Sequence, residues 1–217
     1  MGRQKDRRRG YKPSQSLQRR SGHWPPRARV LVVCEGEQTE PRYFRALCNH
    51  KRLSTAEVEV CGPLLGTHPS CVVKYALTRR KQTPKSQPFD EVWCVFDRDD
   101  HERIHEALTR ARHCGIKVAF SNPSFELWFL LHLAPYSSAE RMRSEVVSRL
   151  KKYIPDYHKS MDVYYGLVPH QQVASLSAKR LRNDHQGAGR KETHNPSTSV
   201  DLLVEKLNAL AETQYRP

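Results

Sequence analysis

Val30-Leu-Val-Val-Cys34, followed at once by Glu35-Gly36, is the stretch that decides the fold. Five consecutive apolar residues suffice for a strand and are too few for a helix. A run that is apolar at every position suits a strand covered on both faces, as in a parallel sheet flanked by helices. Downstream, Pro41 suits the first turn of a helix running to about His50. Glu57-Val-Glu-Val-Cys61 alternates like a second strand, and Pro69 to about Lys81 reads as a helix. Phe89 to Phe96 is a third strand. His101 to His113 is a helix with Ile104, Ala107, Leu108 and Ala111 on one face and Gly115 as its stop. Ile116-Lys-Val-Ala-Phe120 is a fourth strand, and Asn122-Pro123 opens the next helix as cap and first-turn proline. Strands alternating with helices predict an α/β fold: a small, mostly parallel, Rossmann-like sheet with helices on both faces.

The last third reads as helical. Ser137-Ser-Ala-Glu140 suits a capping box before Met142, Val146, Leu150 and Tyr153. Val168 to about Asn183 is a second helical stretch, Asp184 to Asn195 a polar loop. Asn195-Pro-Ser-Thr-Ser199 leads into the stripe Val200, Leu203, Leu207 and Leu210. The expected organisation is a flexible basic arm over 1–28, an α/β core over 29–134 and a helical extension over 135–217 packed on that core.

The chain has 217 residues, with 37 Lys and Arg against 23 Asp and Glu, a formal charge of +14. Residues 1–29 hold ten of the bases and one acid, Asp6, hence 10 − 1 = +9; the remainder carries 14 − 9 = +5. Such a tail points to an anionic partner, most simply nucleic acid, with Arg7, Arg8, Arg9, Lys12, Arg19 and Arg20 as its phosphate contacts. Leu127 to Ala134, the longest apolar stretch, is too short to span a bilayer, and no apolar segment follows the basic start. A membrane partner is not expected. The six cysteines are scattered without a C-x-x-C pair, which suits reduced thiols in a cytoplasmic protein.

The acids carry the chemistry. Glu35 follows the first strand and Asp97-Arg-Asp-Asp100 follows the third. Parallel α/β sheets bind ligands at the carboxyl ends of their strands, and neighbouring strands lie about 5 Å apart. If strands one and three are adjacent, Glu35 and Asp97 emerge side by side, and Asp99 shares the face of Asp97 where the chain stays extended. Three converging carboxylates repel unless a cation holds them. Hard oxygen donors suit Mg²⁺ or Mn²⁺. On charge pattern alone a second reading stands, with Asp99 and Asp100 capping the next helix and Glu35 in a solvated turn.

Cys34-Glu-Gly36 with Asp97-Arg-Asp99 resembles the Toprim catalytic core. Glu35-Gly-Glu-Gln-Thr-Glu-Pro-Arg-Tyr-Phe44, Ser121-Asn-Pro-Ser-Phe-Glu-Leu-Trp128, Leu130-Leu-His132 and Asn195-Pro-Ser-Thr198 together resemble the RloB family, from about residue 29 to 210. The resemblance implies a Toprim-fold, metal-dependent endonuclease acting on DNA or RNA, tRNA included, in phage defence. It implies Glu35 as catalytic acid/base or metal ligand and Asp97 and Asp99 as metal ligands. Similarity to OLD-type nucleases adds Glu40, at an offset of five rather than four, and Glu126 of the S-x-E Ser124-Phe-Glu126. It also adds a late lysine, for which Lys159 is the candidate. A partner ATPase of the ABC/OLD type is implied as well, while homo-oligomerisation stays open. A non-catalytic nucleic-acid-binding regulatory subunit and a nucleotide phosphohydrolase are the competing functions. His101 and His105 read as a solvated helix face; His132, Tyr43, Phe44, Trp128, Phe129 and Leu131 read as core.

Overall fold

A computed structural model describes residues 28–61, 68–98, 104–134, 142–191 and 193–214. Five strands form one sheet: β1 (Val30–Cys34), β2 (Ala56–Val60), β3 (Glu91–Asp97), β4 (Lys117–Asn122) and β5 (Ser197–Thr198). Their order is β2-β1-β3-β4-β5, so β1 and β3 are neighbours. β2, β1, β3 and β4 run parallel and β5 pairs antiparallel with β4. The protein has a mixed α/β fold with a mostly parallel sheet flanked by helices.

The continuous apolar runs are explained by two separate cores. Side chains alternate across a strand, and β1 divides Val30, Val32 and Cys34 from Leu31 and Val33. The first set packs under helices α1 (Thr39–His50), α4 (Glu126–Leu133), α6 (Tyr164–Leu167), α7 (Gln171–Gly187) and α8 (Val200–Gln214). The second packs under α2 (Pro69–Gln82) and α3 (Ile104–His113). β3 splits the same way, with Trp93 and Val95 on one side and Val92, Cys94 and Phe96 on the other.

Local signals act largely as read. His68 caps α2 by accepting from the Ser70 N–H (3.2 Å), and Pro69 takes the first turn. α3 ends at Gly115, whose φ of +65° lets the Ile116 N–H return to the Ala111 carbonyl (2.9 Å). Val200, Leu203, Leu207 and Leu210 are buried along α8. All six cysteines are free, four of them buried. Tyr43, Phe44, Trp128, Phe129 and Leu131 lie in the core, the Tyr43 ring within 6.4 Å of five other aromatic rings.

Three expectations are corrected. Asn122 does not cap a helix: it is the last residue of β4, its side-chain amide donates to the Thr193 carbonyl (2.8 Å), and α4 begins only at Glu126. The polar stretch after Asn183 remains helical to Gly187, because His185 is buried and its Nε2 donates to the Pro196 carbonyl (2.8 Å). Ser197–Thr198, read only as the lead into α8, forms β5 and joins the sheet. The proposed cap Ser137–Glu140 lies outside the described residues; Met142 instead gives its backbone N–H to Glu145 (2.8 Å) at the start of α5 (Arg143–Leu150). Among the described residues, no helix is long and apolar enough to cross a membrane.

Candidate active site

The β1–β3 register, Cys34 opposite Val95, continues one residue further as the Glu35 N–H bonds to the Val95 carbonyl (2.9 Å). Glu35 therefore leaves the sheet beside the end of β3. There the Asp97 backbone N–H donates to the Glu35 carboxylate (3.4 Å). Asp97 is 5% exposed and lies across from Ser121 of β4. The Ser121 and Thr198 hydroxyls are 3.0 Å apart, both buried. Segments distant in sequence thus adjoin in series: Glu35 beside Asp97, Asp97 across from Ser121, and Ser121 against Thr198.

Two further acids are buried close enough to sense each other's charge. Glu40, in the first turn of α1, and Glu126, the first residue of α4, are both buried. Gly36 makes room for Glu40: a Cβ at Gly36 would stand 2.3 Å from a Glu40 carboxylate oxygen. Burial lifts the Glu40 carboxyl above its ordinary range, and the Glu126 charge adds to that. Hydrogen bonds from the Glu40 and Gly36 backbone and the Arg143 guanidinium work the other way. Arg143 Nη2 lies 3.1 Å from Glu126 Oε1 and 3.5 Å from Oε2, and Tyr157 donates to Oε1 (3.4 Å).

Lys159 has an exposed side chain on the segment that closes over the start of α1, where Thr39 donates to the Lys159 carbonyl (3.3 Å). Arg42 on α1 and Arg98 directly after Asp97 are both exposed. Asp99, His101 and the arm residues Arg7, Arg8, Arg9, Lys12, Arg19 and Arg20 lie outside the described residues. His105 is exposed. His132 is buried, and its Nδ1 donates to the Trp128 carbonyl (2.8 Å). Arg143 and Tyr157 belong to no recognisable sequence motif; their contact with Glu126 exists only once α4 and the segments after it are packed.

Glu35 and Asp97 supply hard oxygen donors on adjacent strands. That chemistry fits Mg²⁺ or Mn²⁺, since Mg²⁺ commonly takes one or two carboxylates and completes its shell with water and phosphate. Among the described residues, no group of three His, Cys, Asp or Glu side chains is gathered closely enough to hold a metal ion.

The fold and the edge define an α/β protein whose acids converge from the ends of two adjacent parallel strands. The RloB-like protein family matches residues 30–207, and the chain belongs to that family. No curated protein and no solved structure matches it.

Proposed function

We propose that this protein is a metal-dependent Toprim endonuclease that hydrolyses phosphodiester bonds of DNA or RNA, tRNA among the candidate substrates. The observation that carries the reading is the apposition of Glu35 and Asp97 across neighbouring strands. They would hold the divalent ion, with Asp99 as a further ligand. Bound there, Mg²⁺ or Mn²⁺ supplies water activation and stabilises charge on the phosphoryl oxygens.

The chain's own residues do the rest. The part-exposed Glu35 carboxylate can take a proton from an attacking water at its Oε atoms. Arg42, Arg98 and Lys159 give the edge exposed positive charge suited to orienting a polyanion. The +9 of residues 1–29 adds sequence-independent phosphate contacts. We place the activity in phage defence, in the cytoplasm, under a partner ATPase of the ABC/OLD type, as the family resemblance suggests.

The test is cleavage of structured RNA and duplex DNA by wild type, Glu35→Gln and Asp97→Asn, with Mg²⁺ and with EDTA, with and without the partner. Mg²⁺-dependent cleavage by wild type alone supports the reading. Binding without cleavage in all three proteins favours a regulatory nucleic-acid-binding subunit; release of phosphate from mononucleotides alone favours a phosphohydrolase.

A further inference from the structure

The geometry points to Arg143 as the built-in cation of the inner acid pair. Its guanidinium sits on the Glu126 carboxylate, with its charge felt by Glu40, where a second metal ion would otherwise bind, so the protein binds one divalent ion, at Glu35 and Asp97. The inference rests on the metal-dependent reading above and deepens it, making Arg143 a positioning residue.

The Glu126 side chain is 1% exposed, and a carboxylate so deep needs a cation and further hydrogen bonds to stay charged. Arg143 supplies the cation from a side chain 34% exposed, with Nη2 reaching both carboxylate oxygens. Tyr157 takes a further lone pair of Oε1. A metal at Glu126 would have to displace these protein donors. Glu40 is likewise enclosed, its oxygens against Gly36 and hydrogen-bonded by the backbone there.

Arg143 opens α5, and the preceding Met142 N–H is fixed by Glu145 (2.8 Å). α5 packs back through Val146 and Leu150, both fully buried in the core that holds α4. The guanidinium thus comes from a fixed helix start on the same core as Glu126. Glu35, by contrast, is part-exposed at the open edge, where an ion can keep its waters.

Mn²⁺ titration of the full chain, read by calorimetry and by electron paramagnetic resonance of unbound Mn²⁺, tests the inference. Wild type should bind one Mn²⁺ per chain. Glu126→Gln should still bind one, with Kd within about threefold, because Glu126 is not a ligand. Arg143→Gln should gain a second site, and Arg143→Lys should return to one because the ammonium restores the charge. Two Mn²⁺ per wild-type chain, or a site lost in Glu126→Gln, would overturn it, as would a folded Arg143→Gln that still binds only one. If Arg143→Gln does not fold, the wild-type and Glu126→Gln stoichiometries decide. An unchanged stoichiometry across the Arg143 variants, with Mn²⁺ binding lost in Asp97→Asn, sinks the inference and spares the metal-dependent reading; no Mn²⁺ bound by any protein sinks both.

Discussion

Asp97 gives its backbone N–H to the carboxylate of Glu35, 62 residues earlier in the chain (3.4 Å). That bond, with the β1–β3 register and the Glu35 N–H to Val95 carbonyl bond, sets the two acids of the proposed chemistry side by side. It uses the Asp97 main chain and leaves the Asp97 side chain at the same edge. Replacing that side chain keeps the bond, so site and scaffold can be separated experimentally. Asp97→Asn should unfold within about 1 kcal/mol of wild type, because the amide matches the carboxyl in size and leaves the main-chain bond in place. Its Mn²⁺ affinity should fall at least tenfold. Thermal melts and metal titration on the same sample check both halves.

Gly36 is predicted to be needed for space. A Cβ there would stand 2.3 Å from a Glu40 oxygen, inside any normal contact. Gly36→Ala should cost about 1–3 kcal/mol of stability, as overpacking of buried sites does. The strain should disappear when Glu40 is shortened as well. A double-mutant cycle with Glu40→Ala should show favourable coupling of at least about 1 kcal/mol by urea denaturation; additivity would mean that Glu40 does not set the limit.

Arg182 and Asp201 join α7 to α8 through a two-pronged ion pair of 2.6 and 2.7 Å, and Arg182 also donates to the Thr198 carbonyl of β5. Asp201 is 1% exposed, so loss of the arginine strands a buried charge. Arg182→Met should lower stability by about 3 kcal/mol. Arg182→Met combined with Asp201→Asn should recover part of it. Urea midpoints measure both.

His132 predicts a pH dependence. Burial pulls its pKa from 6.5 down to about 4, so the folded state holds it neutral while the unfolded chain takes up a proton near its ordinary value. The unfolded state thus binds more protons between those values, and the contribution is fully present above about pH 6.5. It is lost as pH falls toward 4, up to about 3 kcal/mol. His132→Leu should flatten the stability profile across that window relative to wild type. An identical slope in both proteins would show that other groups control acid unfolding.

Much of this was legible before the fold. The all-apolar run Val30 to Cys34 is a strand because both faces are covered, and adjacency of β1 and β3 brings Glu35 to Asp97. Those are consequences of local pattern and parallel-sheet geometry. The rest depended on tertiary contacts with no local signature. β5 is two residues long and exists only through pairing with Ser121 and Asn122. Asn122 reads locally as a cap but spends its amide on Thr193. Arg143 looks like any surface arginine until α5 packs beside α4 and gives it Glu126. Glu40 and Glu126 were legible as important acids, whereas their burial was not.

The most direct test of the central claim is Mg²⁺-dependent cleavage of nucleic acid by purified wild type beside Glu35→Gln, each with the partner ATPase present. Wild type with Mg²⁺ should produce new 5′ and 3′ ends, EDTA should abolish them, and Glu35→Gln should lose at least a hundredfold. Cleavage by Glu35→Gln at the wild-type rate would contradict it.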